Sequence, residues 1–458
     1  MARYRPDPKI LTLGPDFYDA VEPARFPKCI PRFVNERWAG RIGLDFDDDE
    51  WARHFCRFDP LPDNLSEPLA LRYHGHQFRV YNPEIGDGRG FTFAQLRDEK
   101  DRLLDLGTKG SGQTPYSRHA DGRLTLKGGV REVLATETLE ALGVNTSKTF
   151  TLFETGEALE RGDEPSPTRS SVLTRLSHGH IRIGTFQRLA IFGDLENLKK
   201  LTRYCVENLY SELHSDDDAE NALKLFDSVS AATAALAASY LAAGFVHGVL
   251  NSDNINITGE SFDYGPWRFT PYWEPEFTAA YFDHYGLYAF GRQPEAIHWD
   301  LAQLAGCLSL VTEGPALSEQ LAAWSGRFEQ ALVDALLSRL CVKRGGDDRE
   351  LATALIKALA TRAQTIDRIF FDWRGGHDPG AEAYPVDEFR ELAKLLKGRQ
   401  LPKKHPYWSA DAPCSIHIEE VEAIWSAIAE RDDWQPLNNK VKAIRLMGDA
   451  IEQDARAG

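Results

Sequence analysis

The spacing of hydrophobic positions changes along the chain. Before about residue 186, apolar residues form short runs divided by glycine turns, a pattern typical of antiparallel strands. Within this part, Val130, Val133 and Ala141 recur at helical spacing ahead of Gly143, which predicts one helix that begins near Val130. The short apolar runs predict strands within residues 103–112, 123–129, 146–156 and 170–177.

The rest of the chain has mostly helical spacing. The run from Asn221 to Phe245 is apolar nearly all round in its second half, which predicts a buried helix that ends near Gly244. A β-rich front followed by an α-rich back predicts an α+β fold with two lobes. Further helices are predicted over residues 299–311, 317–341, 349–369, 386–397 and 417–430. The expected divisions are an N-terminal extension over 1–60, a β-rich lobe over 61–185, and a helical lobe over 186–458.

Composition narrows the class of protein. Of the 458 residues, 42% are hydrophobic and 27% are charged, as in globular proteins, and the net charge is −16. This acidic balance argues against a nucleic-acid partner, although a local basic pocket for a small polyphosphate is compatible with it. The six cysteines lack CxxC spacing, so we expect isolated buried thiols rather than a disulfide framework or a zinc site. No apolar run is long enough to span a membrane, and a cytoplasmic protein is expected.

A cluster of small oxygen-bearing side chains follows the buried helix, in the stretch HGVLNSDNINITGESFDYGPW at 247–267. We expect a hairpin whose two arms bring Asp263 near Asn254. Paired carboxylate and amide oxygens suit Mg²⁺, and Asp253 would then remain free to act as a base toward a hydroxyl. The order of these residues is similar to the kinase catalytic loop and DFG segment, although Asn254 follows Asp253 directly. A simple turn-rich loop is the alternative, because Asn and Asp are common turn residues.

Three glycine-containing turns upstream are candidates for holding phosphates. They are residues 86–90, which include Arg89, residues 109–112, which begin with Lys109, and the turn at Asp121. Glycine lets backbone N–H groups approach phosphate oxygens, and lysine or arginine supplies positive charge. None of the three matches the P-loop or the dinucleotide fingerprint, and ordinary hairpin turns also explain such glycines.

Two kinds of charged side chain could complete a nucleotide site. In kinases the equivalent of Lys109 pairs with a helix glutamate, and periodicity alone favours Glu137, because Glu132 lies opposite the apolar face of its helix. Surface exposure is the alternative for either glutamate. Arg175 and Arg182 could together hold a terminal phosphate. The neighbouring histidines have no third ligand nearby, so zinc is not expected there.

These segments together resemble the selenoprotein O family. The matching stretches are HGHQF, GDGRG, TKGSGQTPYSRHADGR, VREVLATETLEALGVNTSKT, LTRLSHGHIRIGTF and the 247–267 stretch, and the resemblance covers roughly residues 10–275. Members of that family are protein-kinase-like pseudokinases that act as protein adenylyltransferases. The resemblance implies a kinase-like fold that binds ATP in a flipped orientation. The α-phosphate is then exposed, so AMP rather than phosphate is transferred.

The resemblance also implies roles for individual residues. Lys109 would contact phosphate, and Glu132, rather than the glutamate favoured by periodicity, would be its helix partner. Asp253 would be the catalytic base, with Asn254 and Asp263 as metal ligands. The residues implied along the nucleotide are Gly86, Gly88, Arg89, Lys109, Asp121, Gly122, Arg175, Arg182 and Asp263.

The resemblance weakens after residue 275. Animal members carry a selenocysteine near the C-terminus and many others a cysteine, whereas this chain ends GDAIEQDARAG, so a redox switch at that position is not expected. The asparagine- and arginine-rich helix segment that is usual near the end is also not evident.

The predicted reaction is attack by a Ser, Thr or Tyr hydroxyl of a protein substrate on the α-phosphorus of ATP, with release of pyrophosphate. Mg²⁺ or Mn²⁺ would assist, since both accept the same oxygen ligands. Transfer of the γ-phosphoryl group is one alternative, and nucleotide binding without catalysis is another. The sequence identifies neither the acceptor nor the preferred nucleotide, ATP or UTP.

Overall fold

An antiparallel sheet forms the β-rich part of the protein. The computed structural model describes residues 3–162 and 164–457, so the ends of the predicted divisions at residues 1, 2 and 458 lie outside the described residues. The strands are β1 (Tyr18–Ala20), β2 (Ile30–Val34), β3 (Leu69–Leu71), β4 (Gly75–Gln77), β5 (Val80–Asn82), β6 (Thr92–Arg97), β7 (Leu103–Lys109), β8 (Leu124–Thr125), β9 (Lys148–Leu159), β10 (Thr168–Ser177), β11 (Phe245–Val246) and β12 (Arg268–Phe269). Eight of them form one sheet in the order β1-β3-β6-β7-β10-β9-β2, with β8 beside β10. The hairpins β4–β5 and β11–β12 are separate two-stranded sheets.

Helices dominate the remainder of the chain. They are α1 (Glu36–Ile42), α2 (Asp48–Phe55), α3 (Leu126–Ala141), α4 (Ile183–Ile191), α5 (Leu195–Leu209), α6 (Asp218–Ala243), α7 (Gln293–Leu308), α8 (Gly314–Ala322), α9 (Trp324–Leu340), α10 (Asp348–Ala360), α11 (Ile366–Asp372), α12 (Asp387–Leu396), α13 (Ile418–Arg431) and α14 (Gln435–Ala457). The predicted α+β class is therefore confirmed.

The eight-stranded sheet is buried on both faces. Successive side chains of a strand point to opposite faces, and accordingly Leu103 and Leu104 of β7 belong to two different hydrophobic clusters. The cluster around Leu104 is rich in aromatic residues from α1 and α2. The other cluster contains the apolar side chains of α3, where a Cβ at Gly129 would lie 2.4 Å from Leu152 Cδ1. Glycine at this position therefore lets α3 lie close to the sheet.

Helix α3 begins earlier than predicted. The predicted strand over 123–129 is wrong beyond Leu124–Thr125, because the hydroxyl of Thr125 accepts from Gly128 N at 3.1 Å and caps the first turn of the helix. Glycines at the start of the helix had suggested a turn. The predicted stop at Gly143 is confirmed by its positive φ of 79°, directly after the helix.

Helix α6 is the central buried helix, and it ends at Gly244 in the left-handed conformation, as predicted. In the described part of the chain it is the one helix long and apolar enough to cross a membrane. However, 67% of its most apolar window is buried inside the protein. This is the burial expected of a core helix in a folded domain.

Two predicted helices are each divided in the structure. The helix predicted over 317–341 is α8 and α9, with a break at Ala323, and the helix predicted over 349–369 is α10 and the start of α11. Good helix formers run through the first break, so local propensity indicated no stop. Tertiary packing decides it, because buried Trp324 stacks on His298 and Phe328. Helices α12 and α13 agree closely with their predictions.

The expectation of six isolated thiols is wrong for two of them. Cys29 and Cys56 form a disulfide, with their Cα atoms 5.9 Å apart across a sequence separation of 27. Cys29 directly precedes β2 and Cys56 directly follows α2, and the packing of α2 against β2 brings the two cysteines together. Their spacing in the sequence does not encode this juxtaposition. Cys205, Cys307 and Cys341 are buried free thiols, and Cys414 is a partly buried one.

Candidate active site

The segment after α6 is not the predicted hairpin. Its two arms pair with distant parts of the chain, since Ile183 N donates to Ile255 O at 3.0 Å and Ser147 N donates to Ser261 O at 2.8 Å. Strands β11 and β12 close the base of the segment. The short β-branched run at residues 255–257 therefore pairs with backbone that the fold brings beside it. The hydrophobic period of such a run does not identify its pairing partner.

Asp253 lies in a 3₁₀ turn, Ser252–Asn254, beneath the β4–β5 hairpin. The hairpin is tied down by His76 N, which donates to Ser252 Oγ at 2.7 Å. A Cβ at Gly75 would lie 3.0 Å from Asp253 Cβ, so glycine permits this close approach. The Asp253 side chain is 8% exposed, and its Oδ1 has no hydrogen-bond partner among the described residues. Burial raises the pKa of Asp253 to about 6, although Arg182 opposes the shift.

Asp263 sits among positive charges. Its Oδ1 lies 3.2 Å from Lys109 Nζ and 3.4 Å from Arg175 Nη1, and its backbone has a positive φ of 60°. Burial favours the neutral acid, but Lys109, Arg175 and Arg182 outweigh it and hold the pKa of Asp263 well below its ordinary value. The carboxylate is therefore ionised and can bind a cation.

Lys109 at the end of β7 pairs with α3. Its Nζ lies 2.6 Å from Glu132 Oε2 and also donates to Tyr264 O at 3.2 Å. Both side chains are almost completely buried. The partner is thus Glu132, as the resemblance implied, and the preference for Glu137 from periodicity is wrong. The helix is buried on both sides, so an apolar face does not identify the side that meets the sheet.

Arg175 and Arg182 lie on the same aromatic ring. Their guanidinium carbons are 5.3 and 4.9 Å from the Phe262 ring centre. Arg182 also donates to Tyr73 OH at 2.8 Å and pairs with Asp87 at 3.1 Å. Tyr73, Asp87 and Phe262 were not predicted as site residues. The sequence carried a signal for two of them: Asp87 is an acid within the glycine turn at 86–90, and Phe262 is the aromatic residue directly before Asp263.

These residues surround one cavity of about 360 Å³. It contains Asp253 and Asp263 together with Lys109, Arg175 and Arg182. The predicted glycine turn contributes Gly86, Gly88 and Arg89 to one wall of the cavity. The lining also contains Tyr116, Ser117, Arg118 and Ala120, which face this turn. A Cβ at Gly86 would lie 2.5 Å from Tyr116 Cγ, so the glycine also lets the opposite wall pack against it.

Two predicted nucleotide residues lie beside this cavity rather than among its charges. Asp121 is on the surface and pairs with Arg161 at 2.8 Å, and this pairing together with a backbone hydrogen bond lowers its pKa against the opposing effect of burial. Gly122 has a positive φ of 69° and packs on Gly112 O, which closes the turn. Both follow the wall residue Ala120 directly in sequence.

Asp263 and Asn254 are the predicted metal ligands. Asp263 lines the cavity, whereas Asn254 is not among the residues that line it. Asn254 Nδ2 donates to Val249 O at 3.0 Å, so its amide oxygen is the side-chain atom suited to a cation. Within residues 3–162 and 164–457, no three His, Cys, Asp or Glu side chains cluster as a metal cage. A site with few protein oxygens suits Mg²⁺, which keeps waters and bridges to phosphates.

Comparison with known proteins agrees with this chemistry. The model of the family described as "Protein adenylyltransferase SelO" matches residues 2–384. Among relatives named "Protein nucleotidyltransferase YdiU", that of Synechocystis sp. is 40% identical over 472 residues, which are 96% of this chain and 97% of that protein. That of Synechococcus elongatus is 40% identical over 97% of this chain and 95% of its own length. That of Marinomonas sp. is 35% identical over 79% of this chain and 74% of its own length.

The family model extends well past residue 275, so the expectation that the resemblance weakens there is wrong for the region up to residue 384. The two cyanobacterial alignments cover nearly the whole chain. The chain belongs to the SelO family of protein adenylyltransferases.

Proposed function

We propose that this protein transfers AMP from ATP to Ser, Thr or Tyr hydroxyl groups of protein substrates and releases pyrophosphate. One arrangement carries the proposal: three buried cations, Lys109, Arg175 and Arg182, share a cavity with the unpartnered carboxylate oxygen of Asp253. Buried cations are the groups that hold a triphosphate, and a buried carboxylate beside them suits a base. The printed names of the family and its relatives support nucleotidyl transfer to protein.

The chemical step needs few protein groups. The acceptor hydroxyl gives its proton to Asp253 while its oxygen forms a bond to the α-phosphorus. The bond from that phosphorus to the oxygen bridging to the β-phosphate breaks, and pyrophosphate leaves with the electron pair. Lys109, Arg175 and Arg182 stabilise the charge that develops on the leaving group. Most of the catalysis is thus positioning and electrostatics.

The oxygen donors described above fit Mg²⁺ or Mn²⁺, held by Asp263 and Asn254. When bound, the metal supplies positive charge beside the phosphates. The ionised state of Asp263 supports this assignment, because its low pKa keeps the carboxylate negatively charged near neutral pH.

We place the site in a kinase-like bilobal architecture. The extension would be residues 1–60, the nucleotide-holding lobe 61–185, and the helical lobe 186–458 with the catalytic loop 247–267. The Lys109–Glu132 ion pair supports this arrangement, since protein kinases use a strand lysine and a helix glutamate in the same way. A cytoplasmic protein with protein partners, and without nucleic-acid or membrane partners, is the corresponding proposal for its surroundings.

Labelled ATP tests the function. The protein is incubated with Mg²⁺ or Mn²⁺ and a panel of acceptor proteins, using ATP labelled at the α- or the γ-phosphorus. Transfer of α-label, with one pyrophosphate released per label bound, is the expected result. Transfer of γ-label alone would make the protein a kinase, and binding without transfer of either label would make it a nucleotide-binding scaffold. A parallel reaction with α-labelled UTP identifies the preferred nucleotide.

A further inference from the structure

The C-terminal helix α14 packs against α3, the helix that carries Glu132. Helix α14 lies beyond residue 384, where the match to the family model ends. The two helices approach closely, because a Cβ at Gly448 would lie 3.2 Å from Ala141 Cβ. Met447 adds to the contact, in a small cluster that includes Leu142 and Ala450. The end of α3 is therefore held by a part of the chain distant in sequence.

An ion pair joins the two helices at the centre of this contact. Arg445 donates to Glu137 through both arms of its guanidinium, with Nε 2.7 Å from Oε2 and Nη2 2.9 Å from Oε1. Glu137 is 2% exposed, and Asn35 Nδ2 donates to it at 3.3 Å. A two-pronged arginine contact fixes both distance and direction, which a single surface pair does not. Arg37 Nη2, 3.7 Å from Glu137 Oε2, is a second and more distant cation beside this carboxylate. Arg445 therefore supplies the closer of the two charge pairings that a buried carboxylate needs.

The first turn of α3 has a similar tie to the C-terminal region. Lys127 Nζ lies 2.7 Å from Glu422 Oε2 of α13. Both ends of α3 thus contact helices that follow residue 384. The Arg445 contact involves a more deeply buried carboxylate, because Glu137 is buried whereas the side chain of Glu422 is half-exposed. A pair as exposed as Lys127–Glu422 contributes little stability by itself.

Glu137 and Glu132 lie on different sides of the same helix. Five residues separate them, which is a rotation of about 500°, or about 140° around the helix axis. Glu132 faces Lys109 at 2.6 Å, while Glu137 faces Arg445. Helix α3 is therefore held between the buried Lys109–Glu132 pair and the Arg445–Glu137 pair, in which the carboxylate is buried and the arginine is partly exposed. Any rotation or outward shift that broke the outer pair would also move Glu132 away from Lys109.

We propose that Arg445 is a positioning residue, which holds α3 in the place where Glu132 can orient Lys109 toward the phosphates. In kinases the position of the helix that carries this glutamate controls activity. Here the contact that positions α3 is the Arg445–Glu137 pair, which α14 of the same chain supplies. The activity assay for this proposal rests on the proposed function. Hydrogen exchange in α3 tests the proposal independently of that function.

The test compares Arg445→Met with Arg456→Met in the full chain. Both arginines lie on α14, but Arg456 is exposed, and its ion-pair partner among the described residues is Glu452 of its own helix. We expect Arg445→Met to lower kcat for nucleotidyl transfer about 10- to 100-fold, because a displaced Lys109 stabilises the charge on the phosphates less well. Complete removal of one preorganised electrostatic contact costs about 10²- to 10³-fold in kcat, and the loss here is partial. The KM for the acceptor protein should stay within about threefold, because Arg445 does not line the cavity. Amide exchange in α3 should become faster in Arg445→Met and stay unchanged in Arg456→Met.

A covalent tie separates positioning from general stability. Replacing Ala141 and Gly448 by cysteines in the Arg445→Met protein places two Cβ atoms 3.2 Å apart. This is slightly shorter than the usual disulfide range of about 3.5–4.5 Å, so a small outward adjustment of the helices allows the bond to form. Oxidation should restore most of the lost kcat and slow exchange in α3, and reduction should remove both effects. If Arg445→Met does not fold, Arg445→Lys, which keeps the charge without the fork, should show the same changes to a smaller extent.

The outcomes are distinct. Parental kcat together with parental α3 exchange in Arg445→Met would overturn the positioning role. So would a lower kcat that the oxidised tie leaves unchanged. If the parent protein transfers no nucleotide at all, the proposed function fails, but the exchange measurement still decides whether Arg445 holds α3.

Discussion

Replacement of Asp253 by asparagine separates the chemistry of the site from its architecture. The change keeps the shape of the side chain, and the contact from Arg182 Nη1 at 3.3 Å goes to the main-chain oxygen of Asp253, which remains. Loss of a general base lowers the rate by roughly 10²- to 10⁴-fold, or about 3–5 kcal/mol in the barrier. We therefore expect Asp253→Asn to lose transfer of α-label to that extent, while its Kd for ATP stays within about threefold.

The same substitution should stabilise the metal-free protein. Burial raises the pKa of Asp253 from 3.8 to about 6, so folding favours the protonated acid. The stability of the parent from this group falls as the pH rises from about 4 through 6, because the charged form is the disfavoured one in the folded state. Two pKa units correspond to about 3 kcal/mol as an upper value. Asp253→Asn should thus become more stable than the parent by up to about 3 kcal/mol near pH 7.

Urea unfolding at pH 4 and pH 7 in the presence of chelator measures this difference, and transfer of α-label measures the activity. Asp227→Asn is the matched control, because Asp227 is a half-exposed carboxylate paired with Arg327 on the surface. The control should change neither quantity substantially. Full transfer by Asp253→Asn would refute the base assignment. Stability equal to the parent at both pH values would refute the burial argument.

Three further changes test other parts of the protein. Glu132→Gln should lower kcat about 10²- to 10³-fold in the α-label assay, because Lys109 loses its buried partner; unchanged kcat would contradict the role of the pair. Phe262→Leu should weaken ATP binding about 3- to 30-fold by calorimetry, since cation–π contacts contribute about 0.5–2 kcal/mol; parental affinity would show that the ring does not organise the arginines. His417 Nε2 lies 3.4 Å from Asp367 Oδ2, and this carboxylate favours the charged imidazole and raises the pKa of His417. The stabilisation from this pair is therefore complete below about pH 6.5 and is lost as the pH rises through the folded-state pKa. His417→Gln should therefore show a smaller loss of stability between pH 6 and pH 8 than the parent in urea unfolding, and an equal loss would contradict the assignment.

Local chemistry was the most predictable part of the site. The residue types at Asp253, Asn254 and Asp263 pointed to metal and base chemistry because carboxylates and amides concentrate there within a short stretch. The pairing of that stretch was not predictable in the same way. Its arms bond to segments near Ser147 and Ile183, and no pattern within the stretch identifies such distant partners.

The choice between two glutamates on α3 shows a limit of periodicity. An amphipathic pattern identifies a buried face only when the other face meets water. Helix α3 meets the sheet on one side and α14 on the other, so Glu132 and Glu137 are both buried. Only the similarity of motifs singled out Glu132. The disulfide between Cys29 and Cys56 was missed for a related reason, because the packing of α2 against β2 that brings them together is a property of the fold.

The most direct test of the account is the structure of the protein with Mg²⁺ and an ATP analogue that resists transfer. The account predicts that the α-phosphorus lies nearest Asp253, that the β- and γ-phosphates contact Lys109, Arg175 and Arg182, and that the ion binds Asp263 and Asn254. A γ-phosphorus nearest Asp253, with the α-phosphate facing away from the acceptor side, would contradict it.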